Sequence, residues 1–364
     1  MQVSPSQLVT LLSAAIPQRL PILITGAPGV GKSDIVAQAA TLTGAEIILS
    51  HPAVADPTDA KGLPWPKADK DEATFLPFGE LARALKATVP TVWFLDDLGQ
   101  ATPAVQASFM QLILARRVNG HILPDCVTFI AATNRRADRA GVSGILEPVK
   151  SRFATIVELH PDVDSWSNWA MSQVVRRRDA NGQFITPIDE SPAIPPVLIA
   201  FLRFRPDLLS DFKPTADMSN SPMPRTWASL AKLEALSLPQ QVELAAMSGA
   251  VGDGPAAEYI AFRRMFQSLT SVDAILLDPA GCKLPTAPNE LYATATALAS
   301  KATDQNLSRI GVYAQRLVDA QRGEFAVLLM RDCIRRTPKL AYTDAFIRIS
   351  SGPLGQLISG MENN

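Results

Sequence analysis

The stretch "LPILITGAPGVGKSDIVAQAA", residues 20–40, decides how this chain is read. An apolar run through Ile22, Leu23 and Ile24 enters Gly26, and residues 26–33 fit the pattern G-x-x-x-x-G-K-[ST] in full. Behind Ser33, the residues Ile35, Val36, Ala39 and Ala40 recur at helical spacing. Strand, glycine loop and helix form the context in which this pattern means a phosphate-gripping loop rather than a flexible turn. Backbone N–H groups must converge on a phosphate with no Cβ in the way, at a helix N-terminus whose dipole favours anions. Gly26, Ala27, Pro28, Gly29, Val30, Gly31, Lys32, Ser33 and Asp34 are therefore expected to hold ATP. Lys32 reaches for the β- and γ-phosphates and Ser33 for Mg²⁺.

Such a loop needs an acidic strand end nearby, and "TVWFLDD", residues 91–97, supplies one. Asp96 and Asp97 close a buried strand at its C-terminal end, where open α/β sheets place their sites. Asp96 is expected to hold Mg²⁺ through water and Asp97 to orient the attacking water. Without the loop, both carboxylates would read as caps for a helix starting near Thr102. A further strand, "VTFIAATN", residues 127–134, ends in Asn134. This neutral group can hold the attacking water without adding charge beside the γ-phosphate.

From Leu20 to about His160 the chain alternates apolar runs with helical patterns. The runs are 20–26, 46–51, 91–97, 127–134 and 154–160, and helices are expected at 32–42, 78–88 and 103–116. The runs are nearly continuous, as strands covered on both faces require, so the class is α/β with a parallel sheet flanked by helices. Ser4, Pro5 and Gln7 open a capped N-terminal helix. Asn119-Gly120 marks a hairpin before the fourth strand. Beyond His160 the pattern is all-α, with a loop at 176–196 and a break at 277–290. The expected domains are a nucleotide-binding domain over 1–162, a helical lid over 163–276 and a C-terminal helical extension over 277–364.

Lys+Arg number 34 and Asp+Glu 35, for a formal net charge of -1. No global basic field is present to hold nucleic acid or an anionic membrane. Cys126, Cys282 and Cys333 are odd in number and far apart, which argues against disulfides and fits a reducing cytosol. His51, His121 and His160 lack ligand spacing, and no metal is assigned to them. Arg176, Arg177 and Arg178 read as the solvated end of a helix. No apolar stretch approaches a membrane span and no basic residue precedes the opening apolar run, so a soluble cytoplasmic protein without a leader is expected.

In chain order, "GAPGVGKS", "VWFLDD", "AATN", "VKSRF" and "PRTW" resemble an AAA+ ATPase of the MoxR-like branch, over residues 1 to about 270. The resemblance implies a P-loop NTPase sheet in the order 5-1-4-3-2, an all-α lid, and a ring of identical subunits, usually a hexamer, with ATP at the interfaces. It implies that Arg152 is an arginine finger acting on the neighbouring subunit, with Arg135, Arg136 and Arg139 as rivals. It implies that Arg225 is a second sensor at the start of a lid helix. It also places pore-facing loops in 51–78, where Trp65 between two prolines presses on a client or packs locally. The implied activity is ATP hydrolysis coupled to remodelling or activating a protein partner that bears a von Willebrand A-type domain. A DNA-associated motor or loader and a nucleotide-locked assembly module are the alternatives. The last of these is suggested by Asp97, which stands where most members carry glutamate.

Overall fold

The computed structural model describes residues 1–67, 72–138, 144–175, 191–215 and 218–360. Two compact units divide the chain: Met1–Asp162 with Phe212–Met218, and Val163–Asp211 with Ser219–Asn364.

The strands of the first unit are β1 (Gln2–Val3), β2 (Ile22–Thr25), β3 (Glu46–Ser50), β4 (Leu63–Pro66), β5 (Ala73–Leu76), β6 (Thr91–Leu95), β7 (Arg117–Val118), β8 (His121–Ile122), β9 (Val127–Thr133) and β10 (Thr155–Leu159). Six of them pair in parallel in the order β1-β10-β2-β9-β6-β3. Leaving β1 aside, this is the P-loop order 5-1-4-3-2. The edge strand β1 escaped sequence reading because two residues make no apolar run. Every residue of β6 and β9 is buried, as befits strands covered on both faces. Trp93 anchors one layer, stacked on Phe129 at 5.2 Å and edge-on to Phe109 at 6.1 Å. Its indole N–H donates to Ser50 Oγ at 2.8 Å.

The helices of this unit are α1 (Pro5–Ala15), α2 (Lys32–Leu42), α3 (Pro57–Lys61), α4 (Gly79–Leu85), α5 (Pro103–Ser108), α6 (Met110–Ala115) and α7 (Glu147–Lys150). The capping box of α1 forms: Gln7 N–H donates to Ser4 Oγ, and Ser4 N–H donates to Gln7 Oε1 at 2.9 Å. The helix expected at 103–116 divides at Phe109, whose N–H turns to Gln106 O in a tightened turn. Asn119 and Gly120 both adopt positive φ, 47° and 87°, and join β7 to β8. Segment 51–78 contains the hairpin β4–β5.

Among the described residues, the second unit is helical except for the short antiparallel pair Val174–Val175 and Ser191–Pro192. The run Arg176–Arg178 and most of the loop expected at 176–196 lie outside the described residues. Phe201 packs against Trp227, Tyr259 and Phe262 at 5.5–5.7 Å between ring centres. Residues expected as lid and as extension fall within this single unit. A buried ion pair joins them: Arg203 Nη2 donates to Asp332 Oδ1 at 2.9 Å and Nη1 to Oδ2 at 2.5 Å. The side chains of Arg203 and Asp332 are 3% and 0% exposed. Removing one partner leaves the other charge buried and uncompensated. Asp332→Ala is therefore expected to destabilise the helical unit by about 3–5 kcal/mol. The double change Asp332→Ala with Arg203→Met should recover part of that loss in urea titrations of the full chain.

Candidate active site

The register of the central strands brings the expected site residues to one edge of the sheet. Thr25 on β2 lies level with Thr133 on β9, so Gly26 and Asn134 leave the sheet side by side. Leu95 on β6 lies level with Ala131, so Asp96 and Asp97 emerge at that same edge. A Cβ at Gly26 would sit 3.0 Å from the Leu159 carbonyl oxygen, a tight approach that glycine relieves. Gly31 adopts φ 98° and begins α2 with no side-chain cap. The first N–H groups of α2 have no intrahelical acceptors and point out of the helix, the arrangement that receives phosphate.

Lys32 and Asn134 are only 7% and 8% exposed. The ammonium folds back on its own loop, donating to Gly26 O at 3.0 Å, Ala27 O at 3.1 Å and Asn134 Oδ1 at 2.7 Å. Asn134 Nδ2 in turn donates to Asp97 Oδ1 at 3.1 Å. With an ammonium on one side and a carboxylate on the other, only this orientation of the amide satisfies both. Ser33 Oγ donates to Asp96 Oδ2 at 2.8 Å, and Asp96 Oδ1 accepts the Asp97 N–H at 3.1 Å. Lys32, Ser33, Asp96, Asp97 and Asn134 thus form one connected polar group, supplied by the first turn of α2 and the ends of the neighbouring strands β6 and β9.

The arginines are arranged differently. Arg152, just beyond α7, donates from Nε to Met110 O at 3.0 Å and from Nη1 to Pro148 O. Arg135 is bound within its own subunit. Its Nε and Nη2 donate to the Asp138 carboxylate at 2.9 Å, and its Nη1 donates to Glu158 Oε1 at 3.0 Å. The bond from Asp138 raises the Arg135 pKa above its ordinary value. Arg136 is exposed and lines a cavity of about 480 Å³ with Asn134, Thr133 and Lys150. Arg139 lies outside the described residues. Arg225 is exposed in the first turn of the helix Pro224–Glu234, which belongs to the second unit. Sequence reading missed Asp138 and Glu158, the partners that occupy Arg135. The i,i+3 spacing of Arg135 and Asp138 was a usable signal, whereas Glu158 comes from β10 and left none.

Residues 21–153 match a family model described as an AAA domain of the dynein-related subfamily. This segment is similar to AAA domains. Among solved structures, NtrX from Brucella abortus in complex with ADP is similar at 14% identity, covering 98% of this chain and 67% of that one, with a TM-score of 0.39. The RuvB Holliday junction branch migration motor of Thermotoga maritima is similar at 16% identity over 87% of this chain and 86% of that one, with a TM-score of 0.36. No curated protein matches the chain. AAA domains are nucleotide-binding modules, and the loop at 26–34 lies wholly within the matched segment. Among the described residues, no helix is long and apolar enough to cross a membrane.

Asp97 adopts φ 56° and ψ 35°, a left-handed conformation that Asp and Asn enter more readily than Glu. From there its shorter side chain already reaches Asn134. Asp97→Glu is therefore expected to lower the ATPase rate several-fold rather than raise it, with nucleotide affinity nearly unchanged. Asp97→Asn should keep the backbone and the bound nucleotide while abolishing turnover. Steady-state rates and nucleotide titrations of the three forms check this, and a faster Asp97→Glu enzyme would contradict it.

Proposed function

We propose that this chain is a MoxR-like AAA+ ATPase that assembles as a cytoplasmic ring, with a hexamer as the expected form. On this reading it binds ATP with Mg²⁺ at subunit interfaces and uses hydrolysis to remodel or activate a protein partner. The observation that carries the proposal is the bonded series Lys32–Asn134–Asp97 beside Ser33–Asp96. In it a phosphate-seeking cation, a water-holding amide and a basic carboxylate are already in mutual contact.

Each residue then has a task. Lys32 exchanges its bonds to the Gly26 and Ala27 carbonyls for oxygens of the β- and γ-phosphates, at the N-terminus of α2. Ser33 and Asp96 offer two oxygens 2.8 Å apart, the hard donors that suit Mg²⁺, and the bound ion neutralises charge on the phosphates. Asp97 accepts a hydrogen bond from the attacking water and Asn134 keeps that carboxylate aimed. Arg152 keeps Nε on Met110 O and turns its Nη groups from the Pro148 carbonyl to the γ-phosphate bound by the adjacent subunit, and Arg225 serves as the second sensor from the lid. Arg135 is the poorer finger because releasing it breaks two ion pairs.

A protein client suits the remaining surface. Leu63, Trp65 and Leu76 share one face of the β4–β5 hairpin and all are exposed, Trp65 by 58%. On the same hairpin Lys67 N–H bonds to Glu72 O, which sets the alternation and turns the nitrogens of Pro64 and Pro66 to the open edge. Prolines there deny donors to an added strand, so contact is made by the apolar face. A partner with a von Willebrand A-type domain is our specific expectation for the client. The near-zero net charge gives no support to a nucleic-acid substrate. Cys126, Cys282 and Cys333 are free thiols, with Cys333 pushed up to about 12 by burial, in keeping with a reducing compartment.

Two variants test the assignment. Lys32→Ala removes the ammonium aimed at the phosphates and should weaken ATP binding by about tenfold or more. Arg152→Ala should bind ATP normally and lose about 10³-fold or more in turnover. Mixing Arg152→Ala with Asp97→Asn subunits should restore activity where an intact Asp97 meets an intact Arg152. Unaltered ATP affinity in the first variant would overturn the reading of the loop.

A further inference from the structure

We propose that Gln106 is a positioning residue that mounts the arginine-finger segment on the helix following Asp97, so that one subunit's hydrolytic carboxylate and its finger share a support. This rests on the reading of Arg152 as the finger. Gln106 lies on α5 and is 1% exposed. Its Nε2 donates to Ala101 O at 3.0 Å and to Gly144 O at 2.9 Å, while its Oε1 accepts the Leu146 N–H at 3.0 Å. Both N–H groups and the carbonyl are thus satisfied by backbone alone.

The two ends of this staple are chemically distinct. Ala101 closes the short 3₁₀ turn Leu98–Gln100 that Asp97 opens, so one end sits directly behind the water-orienting carboxylate. Leu146 precedes the first residue of α7 with no side-chain cap of its own, so the other end holds the start of the helix that leads to Arg152. A second bond runs the same way, because Arg152 Nε donates to Met110 O at the first residue of α6. The backbone approach to Arg152 and its guanidinium are therefore both referenced to α5 and α6. Val105, Phe109, Leu112, Ile145 and Leu146 surround this junction with apolar side chains. Packing alone would accept a leucine or methionine at position 106, whereas three bonds to the backbone require an amide.

Gln106→Met keeps the volume and removes all three bonds. It is expected to leave ATP affinity within about twofold of wild type and to lower the ATPase rate about 10–100-fold, the cost of a misplaced catalytic group. The decisive measurement is complementation in mixed rings. Asp97→Asn subunits carry an intact Gln106 and Arg152, so mixing them with Gln106→Met subunits should restore turnover, as mixing with Arg152→Ala does. Gln106→Leu also lacks all three bonds and is accepted by the same apolar surroundings, so it should match Gln106→Met and takes its place if that variant fails to fold. Rescue of Arg152→Ala without rescue of the Gln106 variant would overturn the positioning role and assign Gln106 to its own subunit's site. Wild-type turnover in the Gln106 variant would also overturn it. Failure to rescue Arg152→Ala would remove the finger reading and this inference together.

Discussion

The amide of Asn134 is the contact on which the site depends. It receives the Lys32 ammonium on its oxygen and gives a hydrogen bond to Asp97 from its nitrogen. A neutral group between an ammonium and a carboxylate keeps each charge satisfied without letting them collapse into a direct pair. Burial makes this a strong constraint, since a buried polar group without partners is costly. The relay exists only because β9 lies between β2 and β6. A sheet with those strands in chain order would keep β9 beside β6 but take it away from β2, leaving Asn134 with Asp97 and without Lys32.

The elements around the relay are held by polar contacts between one element and another. Trp93 bonds Ser50 across β6 and β3 while its ring packs on Phe109 and Phe129. Arg116, in a left-handed conformation at the end of α6, donates to Val127 O and Pro124 O and so fixes the base of the β7–β8 hairpin against the start of β9. That hairpin meets the β4–β5 hairpin through His121, whose Nε2 lies 2.8 Å from Phe75 O, and through Asn119, which donates to Lys61 O at 2.9 Å. The apolar face carrying Trp65 is thereby supported by the strand that ends in Asn134. In the helical unit, Arg203 and Asp332 do comparable work between segments that look separate in sequence.

Local chemistry was readable wherever a short window contained its own cause. The loop at 26–33, the acidic end of β6, the capping box at Ser4 and the Asn119-Gly120 turn each depend on neighbours in the chain, and each formed at its expected place. Asp97 was readable as a carboxylate on a strand end but not as a left-handed residue, because Asp only tolerates that φ and the turn it opens imposes it. Gln106 carried no signal in the sequence, since its partners Gly144 and Leu146 come from a distant part of the chain. Among the arginines, sequence position suggested four candidates for the finger, while the partners that occupy Arg135 came from the short 3₁₀ turn after β9 and from β10.

By itself, the sequence determined the strand–loop–helix unit expected to grip phosphate, the apolar runs that must be buried in parallel, and the polar residues at their ends. These follow from steric and hydrophobic rules acting over a few residues at a time. Tertiary structure alone decided which strand ends are neighbours, and therefore that Lys32, Asn134 and Asp97 are bonded in series. It also decided that Arg135 is already paired, and that residues on either side of position 276 share one helical unit. The physical reason is the same in each case. A hydrogen bond or ion pair between residues far apart in the chain costs no local strain and leaves no local pattern, so it becomes visible only when packing has brought its two halves together.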